Sequence, residues 1–167
     1  MVSKEIRAII ESKAYKYNLY PDLVEAHVMT ESSGKPNATR YEPGFYKTYI
    51  KKLGITNEVE ATGRATSWGL LQIMGQVARE MGYQGSWEGL CDPMVNLEYG
   101  CKKLAKCYRR YHPELDKGIA SYNSGSAIVV FRDGVEVLRN QEYVDRVHRF
   151  WDKIKNEKKL DKEINPC

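Results

Sequence analysis

The segment from Glu31 to Ala38 reads Glu-Ser-Ser-Gly-Lys-Pro-Asn-Ala, and it follows a stretch with helical spacing. Val24 and Val28 lie seven and three residues before Glu31, so the three share one face of a helix that the Gly and Pro of the segment then stop. Burial and the negative end of the helix dipole both raise a carboxyl pKa. We therefore expect Glu31 to hold a proton near neutral pH and to act as an acid. The alternative, from this feature alone, is a glutamate that turns to solvent.

Apolar spacing and capping residues predict further helices on both sides of this segment. They run from Ser3 through Ala14, from Pro21 to Gly34, from Pro43 to about Gly54, over 77–81, from Asp92 and Pro93 to Pro113, from Asp116 to the turn at 122–125, and from Glu142 to about Lys158. The polar stretch Thr56–Thr66 predicts an excursion over the surface. In 128–138, Asp133-Gly134 marks either a hairpin or the end of a helical turn, and the helix is the preferred interpretation. We expect one all-α domain over 1–167, with at most a minor β hairpin.

Composition sets the class of protein. The 167 residues are 42% hydrophobic and 29% charged, which is typical of a soluble globular domain, and no apolar run approaches the roughly 20 residues that cross a bilayer. The net charge of +4 comes from dispersed Lys and Arg, so nucleic acid is not indicated as a partner. The four cysteines form no metal-binding spacing. We expect them to be mainly reduced, with a late Cys91–Cys101 disulfide as the alternative.

Three later blocks accompany the Glu31 segment: Gly-Leu-Leu-Gln-Ile at 69–73, Ser-Tyr-Asn-Ser-Gly at 121–125, and Glu-Tyr-Val at 142–144 followed by Val147. In this order the four blocks resemble the motifs of family 23 glycoside hydrolases, the soluble lytic transglycosylases and goose-type lysozymes. The resemblance implies a lysozyme-like helical domain with a substrate cleft. It also implies cleavage of the β-1,4 bond between N-acetylmuramic acid and N-acetylglucosamine in peptidoglycan. Glu31 would be the general acid/base, 1,6-anhydromuramyl sugars would be the products, and no cofactor or metal would be needed.

The resemblance assigns substrate-binding roles to Ser32, Gln72, Tyr122, Asn123 and Tyr143. An amide such as Gln72 offers two donors and an acceptor that suit an amino sugar, and the Tyr122-Asn123 turn offers an aromatic face and an amide. The family pattern directs the Tyr143 hydroxyl toward the acid. The structural alternatives are that Gln72 bonds only to backbone, that the Tyr122-Asn123 turn only fixes the fold, and that Tyr143 is a core residue.

His27 lies one helical turn before Glu31, where the family usually has an apolar residue, and we interpret it as structural.

The chain departs from the family pattern between the first two blocks, where the connection is longer than in a minimal transglycosylase. Glu42, fixed before Pro43, is a candidate second carboxylate or substrate ligand, and Glu58 and Glu60 are weaker candidates. Solvent exposure is the alternative for all three. A second carboxylate at the cleft would favour hydrolysis, as in a goose-type lysozyme or a phage endolysin.

The sequence also predicts the binding partner of the protein and its location in the cell. We expect a monomer that acts on peptidoglycan glycan strands. The N-terminus lacks the features of a signal peptide, so we expect synthesis in the cytoplasm and delivery to the wall by a holin, a phage particle or a secretion machine. Two other functions stay open: a catalytically silent wall-binding module, which the intact Glu31 disfavours, and a helical nucleic-acid binder, which salt-sensitive binding would reveal.

Overall fold

A computed structural model of the protein describes residues 1–164. These residues form two compact units, one comprising Met1–Thr30 with the described residues from Cys101 onward, the other Glu31–Gly100. The α-helices are α1 (Lys4–Lys16), α2 (Pro21–Ser32), α3 (Pro43–Phe45), α4 (Glu58–Arg64), α5 (Gly75–Glu80), α6 (Pro93–Tyr111), α7 (Leu115–Ser124) and α8 (Gln141–Ile164). The strands are β1 (Thr39–Tyr41), β2 (Thr66–Trp68), β3 (Ile73–Met74), β4 (Val129–Arg132) and β5 (Val135–Leu138). The chain is thus mostly helical with little β-structure, which confirms the expected lysozyme-like fold class.

Local capping signals decide where the long helices begin. Ser3 Oγ accepts a hydrogen bond from the Ile6 amide at 3.3 Å, and Pro21 is the first residue of α2. Asp92 Oδ1 accepts from the amides of Met94 and Val95 at 2.7 and 3.2 Å, which caps α6. These starts agree with the sequence predictions because each depends only on neighbouring residues.

The unit that contains both chain ends has its core between α1, α2 and the later helices. Its buried apolar side chains include Ile10, Ala14, Leu23, Val24, Leu104, Ile119, Val144, Val147 and Ile154. One charged residue, Glu25, is also buried, and the Arg7 guanidinium binds both of its carboxylate oxygens at 2.9 and 2.8 Å. A buried carboxylate needs such a partner, because removing it from water unpaired is strongly unfavourable.

The segment 128–138 is a hairpin, so the preferred helical interpretation was wrong. Strands β4 and β5 pair antiparallel, with Val129 opposite Leu138 and Arg132 opposite Val135. The two residues between them, Asp133 and Gly134, have φ values of 51° and 78°. Two successive left-handed residues are what a tight two-residue hairpin turn requires, and they cannot continue a helix.

The Glu31–Gly100 unit holds more structure than the sequence predicted. The helix opened by Pro43 changes type, from α3 to a π segment (Tyr46–Ile50) and a 3₁₀ turn (Lys51–Leu53), and ends at Gly54 as expected. The stretch Thr56–Thr66, expected as a polar surface excursion, contains α4, capped by Asn57. Ala61 and Ala65 are buried with Ile50, so this stretch has its own small core. A second cluster contains Ile73, Ala78, Tyr83, Trp87 and Leu90.

A three-stranded antiparallel sheet in the order β1-β2-β3 was not predicted. Its register places Thr39 opposite Trp68, and Trp68 opposite Ile73. Thr39 directly follows the Glu31 segment, and Trp68 directly precedes the Gly69 block. The sheet therefore fixes these two sequence blocks next to each other.

No helix among residues 1–164 combines the length and apolar character needed to span a bilayer. The described cysteines, Cys91, Cys101 and Cys107, form no disulfide with one another. Cys167 lies outside the described residues.

Candidate active site

Glu31 lies in the last turn of α2, which ends because Ser33 and Gly34 adopt left-handed conformations with φ of 54° and 76°. The Glu31 side chain is partly exposed, whereas Ser32 beside it is buried. The last turn of α2 carries no basic residue. The carboxyl group thus lies at the negative end of the helix, in a last turn without a basic residue. It is also accessible to solvent.

The Gly69–Gln72 loop is joined to the end of the Glu31 segment through the carbonyl oxygen of Ala38. The Gly69 amide donates to this oxygen at 2.7 Å, and Gln72 Nε2 donates to it at 2.9 Å and to the Gly69 carbonyl at 3.0 Å. Both hydrogens of Nε2 are therefore used on backbone, and only Oε1 remains for a ligand. Gln72 itself has φ of 43°, a left-handed conformation that is unusual for a residue with a side chain.

Asn96 in α6 fixes the same loop, a role that was not predicted from the sequence. Its side chain is fully buried; Oδ1 accepts from the Leu71 amide at 2.8 Å, and Nδ2 donates to the carbonyls of Trp68 and Leu90, both at 2.8 Å. A Cβ on Gly69 would lie 2.3 Å from Asn96 Nδ2, so only glycine fits against this amide. A polar residue next to Leu97 on the buried side of α6 was the signal available in the sequence.

Two of the three additional carboxylates that the sequence raised, Glu42 and Glu60, are bound by arginines. Glu42 precedes α3, and its Oε1 accepts from Arg40 Nε at 2.6 Å. Glu60 accepts from Arg64 Nε at 2.9 Å and from two Arg79 nitrogens at 3.0 Å. The hydrogen bonds from Arg79 are the main cause that holds the pKa of Glu60 below its usual value. Glu60 is thus part of a structural ion-pair network, while Glu58 is exposed.

In the other unit, the end of α7 carries Tyr122 and Asn123, and Gly125 ends the helix with φ of 79°. The Tyr122 ring is buried, with Lys103 Nζ 4.1 Å from its centroid and the His27 ring at 5.3 Å in an edge arrangement. Such a ring supports the turn more than it offers a face to sugar. Asn123 is exposed, and its Oδ1 accepts from Asn140 Nδ2 at 3.1 Å.

Tyr143 belongs to a buried chain of hydrogen bonds centred on His27. His27 Nδ1 lies 3.0 Å from the Tyr143 hydroxyl, and Nε2 lies 2.7 Å from the hydroxyl of Tyr108, a partner that the sequence did not indicate. His27 is fully buried, which agrees with its interpretation as structural. The Tyr143 hydroxyl is therefore positioned by a histidine 116 residues away in sequence.

The charge state of this chain follows from burial. Desolvation, with smaller contributions from Lys103 and His148, lowers the pKa of His27 to about 3. Burial raises the pKa of Tyr108 well above its ordinary value. The imidazole is thus neutral, with one N–H and one lone pair. One of the two tyrosines must donate to it, and the other must accept from it.

The chain's sequence was compared with models of protein families. The model described as Transglycosylase SLT domain matches residues 8–134. The match includes the segments that carry Glu31, Gln72, Tyr122 and Asn123, and it ends before Tyr143.

Proposed function

Because the chain belongs to the transglycosylase SLT-domain family and is therefore a glycosidase-type enzyme that degrades peptidoglycan, we propose which bond it cleaves and which products it releases. It cleaves the β-1,4 bond between N-acetylmuramic acid and N-acetylglucosamine and releases 1,6-anhydromuramyl sugars. The observation that carries the proposal is the end of α2, where a solvent-accessible Glu31 is followed by a segment bonded, through Ala38, to the Gly69–Gln72 block.

Glu31 performs both proton transfers in this mechanism. Its protonated carboxyl group donates to the bridging oxygen as the bond from that oxygen to the muramyl C1 breaks. The resulting carboxylate then removes the proton from the muramyl 6-hydroxyl, and O6 forms the new bond to C1. The proton that left Glu31 is restored, so no water is consumed and the products are an anhydro sugar and a free 4-hydroxyl.

The arrangement of the other carboxylates supports closure over hydrolysis. Inverting hydrolysis requires a second carboxylate that activates water, roughly 6.5 to 9.5 Å from the acid. Glu60 is committed to Arg64 and Arg79, and Glu42 is paired with Arg40. The hydrogen bonds from Arg79 lower the pKa of Glu60, which makes Glu60 a weaker base. Glu31 remains the carboxylate that the family motif supplies.

Digestion of purified peptidoglycan by wild type and by Glu31→Gln, with mass spectrometry of the products, tests the proposal. Wild type should release muropeptides lighter by one water than the hydrolytic products. Glu31→Gln should fold normally and lose activity by about 10³-fold or more, since it cannot donate or accept the proton. Glu58→Gln removes an exposed charge of the same unit and should retain wild-type activity.

Three outcomes contradict the proposal. A folded Glu31→Gln protein that keeps most of its activity would show that another residue is the acid. Products that are all reducing sugars would show hydrolysis, and Glu42→Gln would then identify the base. A wild-type protein that binds the wall without cleaving it would be a silent binding module.

A further inference from the structure

A polar pocket of about 600 Å³ lies within the unit that contains both chain ends. Two residues assigned to substrate, Asn123 and Tyr143, line it together with Asn140. Its charged lining residues are Arg132, Arg139, Arg146, Arg149, Glu142 and Asp145. We call it the arginine pocket. Three of its four arginines lie beyond residue 134, where the family match ends.

The four arginines come from two parts of the chain, the β4–β5 hairpin with the residue that follows it, and α8. Arg132 ends β4 and Arg139 follows β5, and an Arg132 guanidinium nitrogen donates to the Arg139 carbonyl at 3.1 Å. Arg146 and Arg149 lie three residues apart on α8, a spacing that places them on one helix face. The hairpin and the helix therefore deliver guanidinium groups to the same pocket.

None of these guanidinium groups forms an ion pair with a carboxylate among residues 1–160, the part of the chain whose side chains the structure describes. Two carboxylates line the pocket as well, and Asp145 Oδ1 accepts from Gln141 Nε2 at 2.9 Å. Four cations against two anions leave an excess of two positive charges. Guanidinium groups have only donors, and their fork geometry matches a carboxylate in bidentate fashion.

The orientation of Asn123 adds further donors to the pocket. Asn140 Nδ2 donates to the Ala120 carbonyl at 3.0 Å, and because a carbonyl only accepts, this bond fixes which end of the Asn140 amide is the nitrogen. The same nitrogen donates to Asn123 at 3.1 Å, so the atom it meets is the Asn123 oxygen. The Asn123 Nδ2 group has no acceptor among the described residues. Amide and guanidinium donors thus line one pocket, which suits an anionic ligand rich in acceptors.

We propose that the arginine pocket binds a carboxylate carried by the muramyl residue, and so makes the enzyme select peptidoglycan over neutral glycans such as chitin. The inference rests on the proposed function, since it deepens the substrate assignment of that site. Two sources supply this chemistry in a wall polymer: the carboxylates of the peptide attached to muramic acid, and the lactyl carboxylate of muramic acid where no peptide is attached. A chitooligosaccharide has neither.

The double variant Arg146→Gln/Arg149→Gln tests this role, with Arg109→Gln/Arg110→Gln at the end of α6 as a control of equal charge outside the pocket. KM and kcat are measured on glycan strands with peptides and on strands stripped of peptides by an amidase. The pocket variant should raise KM about tenfold or more with kcat little changed, as expected for losing a charged hydrogen-bonded contact. The control should change KM less than twofold. Affinity for chitotetraose should be the same in all proteins.

The substrate arms identify the source of the carboxylate. A loss confined to strands with peptides assigns the pocket to the peptide carboxylates, and a loss confined to stripped strands assigns it to the lactyl carboxylate, which is free only there. A loss on both shows that either carboxylate can occupy the pocket. The proposal is overturned by an unchanged KM, by an equal loss in the control variant, or by an equal loss of chitotetraose affinity. Tighter, pocket-dependent binding of a phosphate polymer such as DNA or a teichoic acid would also overturn it.

Calorimetry with an isolated muramyl tripeptide separates this inference from the proposed function. If wild type cleaves no strand, the proposed function fails. Binding of the muramyl peptide that is lost in the pocket variant and kept in the control would still establish the pocket. If wild type cleaves strands and the muramyl peptide binds equally to every variant, the pocket inference alone fails.

Discussion

The two units of the molecule differ in how they use the amide nitrogen of a motif residue, Gln72 in one unit and Asn123 in the other. In the Glu31–Gly100 unit, Gln72 and Asn96 direct their amide nitrogens at the chain's own carbonyls and so lock a loop. In the other unit, Asn140 is used in the same internal way, but it binds the oxygen of Asn123 and leaves the Asn123 nitrogen for the pocket. We infer from this contrast that some amides of the motif blocks, such as Gln72, hold a loop in place, and that others, such as Asn123, face the ligand. Variants that separate stability from binding test this division.

The largest effect on stability is expected at Asn96. Asn96→Ala removes a fully buried amide that makes three hydrogen bonds, one with the Leu71 amide and one with each of two carbonyls. We expect the free energy of unfolding to fall by about 3 kcal/mol. Urea denaturation measures this. Asn156→Ala, at an exposed position of α8, is the control and should change stability by less than about 0.5 kcal/mol. An Asn96→Ala protein as stable as the control would show that the loop does not depend on this residue.

Much of the fold was predictable because its signals are local. Ser3 and Asp92 accept hydrogen bonds from amides within three residues, and Pro21 has the fixed φ that suits a first helical residue, so the helix starts could be located from the sequence. The unpredicted three-stranded sheet has strands of two or three residues, too short to show alternation, and its register depends on pairing distant segments. The hairpin at 128–138 was misassigned because Asp133-Gly134 also fits the end of a helical turn.

The sequence predicted the candidate site only to the extent that the family motifs mark its residues. The Glu31 segment and its three companion blocks indicated the family, but the direction of each side chain depends on contacts far apart in sequence. Gln72 meets a carbonyl 34 residues away, and His27 meets Tyr108 at a separation of 81. No sequence motif indicated the arginine pocket, because its four arginines are dispersed over 132–149. Only the hairpin places Arg132 and Arg139 in the same pocket as Arg146 and Arg149 of α8.

The second prediction concerns the unit with the chain ends, where His27 makes stability depend on pH. Its folded pKa of about 3 lies below the unfolded value of 6.5, so the unfolded chain binds a proton first as the pH falls. The stabilising contribution is complete above pH 6.5 and is lost progressively between pH 6.5 and about 3. From pH 8 to pH 5 the loss should be about 2 kcal/mol in the free energy of unfolding.

His27→Gln isolates this contribution, because a glutamine can also donate and accept but does not titrate. Between pH 8 and pH 5, the free energy of unfolding should fall by about 2 kcal/mol less in His27→Gln than in wild type. Denaturation at the two pH values measures this difference. The exposed His112→Gln is the control and should keep the wild-type dependence. Equal pH dependence in wild type and His27→Gln would mean that the buried histidine accepts a proton without disrupting its tyrosine partners.

The smallest effects compare Gln72 and Asn123 directly, and they decide whether the two amides differ in function. Gln72→Ala loses two bonds to backbone carbonyls and keeps a strained left-handed residue, so stability should fall by about 1 kcal/mol. Asn123→Ala loses one bond from Asn140 at an exposed position, so stability should change by less than about 0.5 kcal/mol. Affinity for a muramyl peptide should show the reverse order, with Asn123→Ala weaker by about fivefold, since its nitrogen has no acceptor in the described protein, and Gln72→Ala nearly unchanged. Denaturation and calorimetry on the same preparations give both quantities. If Gln72→Ala weakened binding as much as Asn123→Ala at unchanged stability, the Gln72 amide would be a ligand of the sugar, and the division between the units would be wrong.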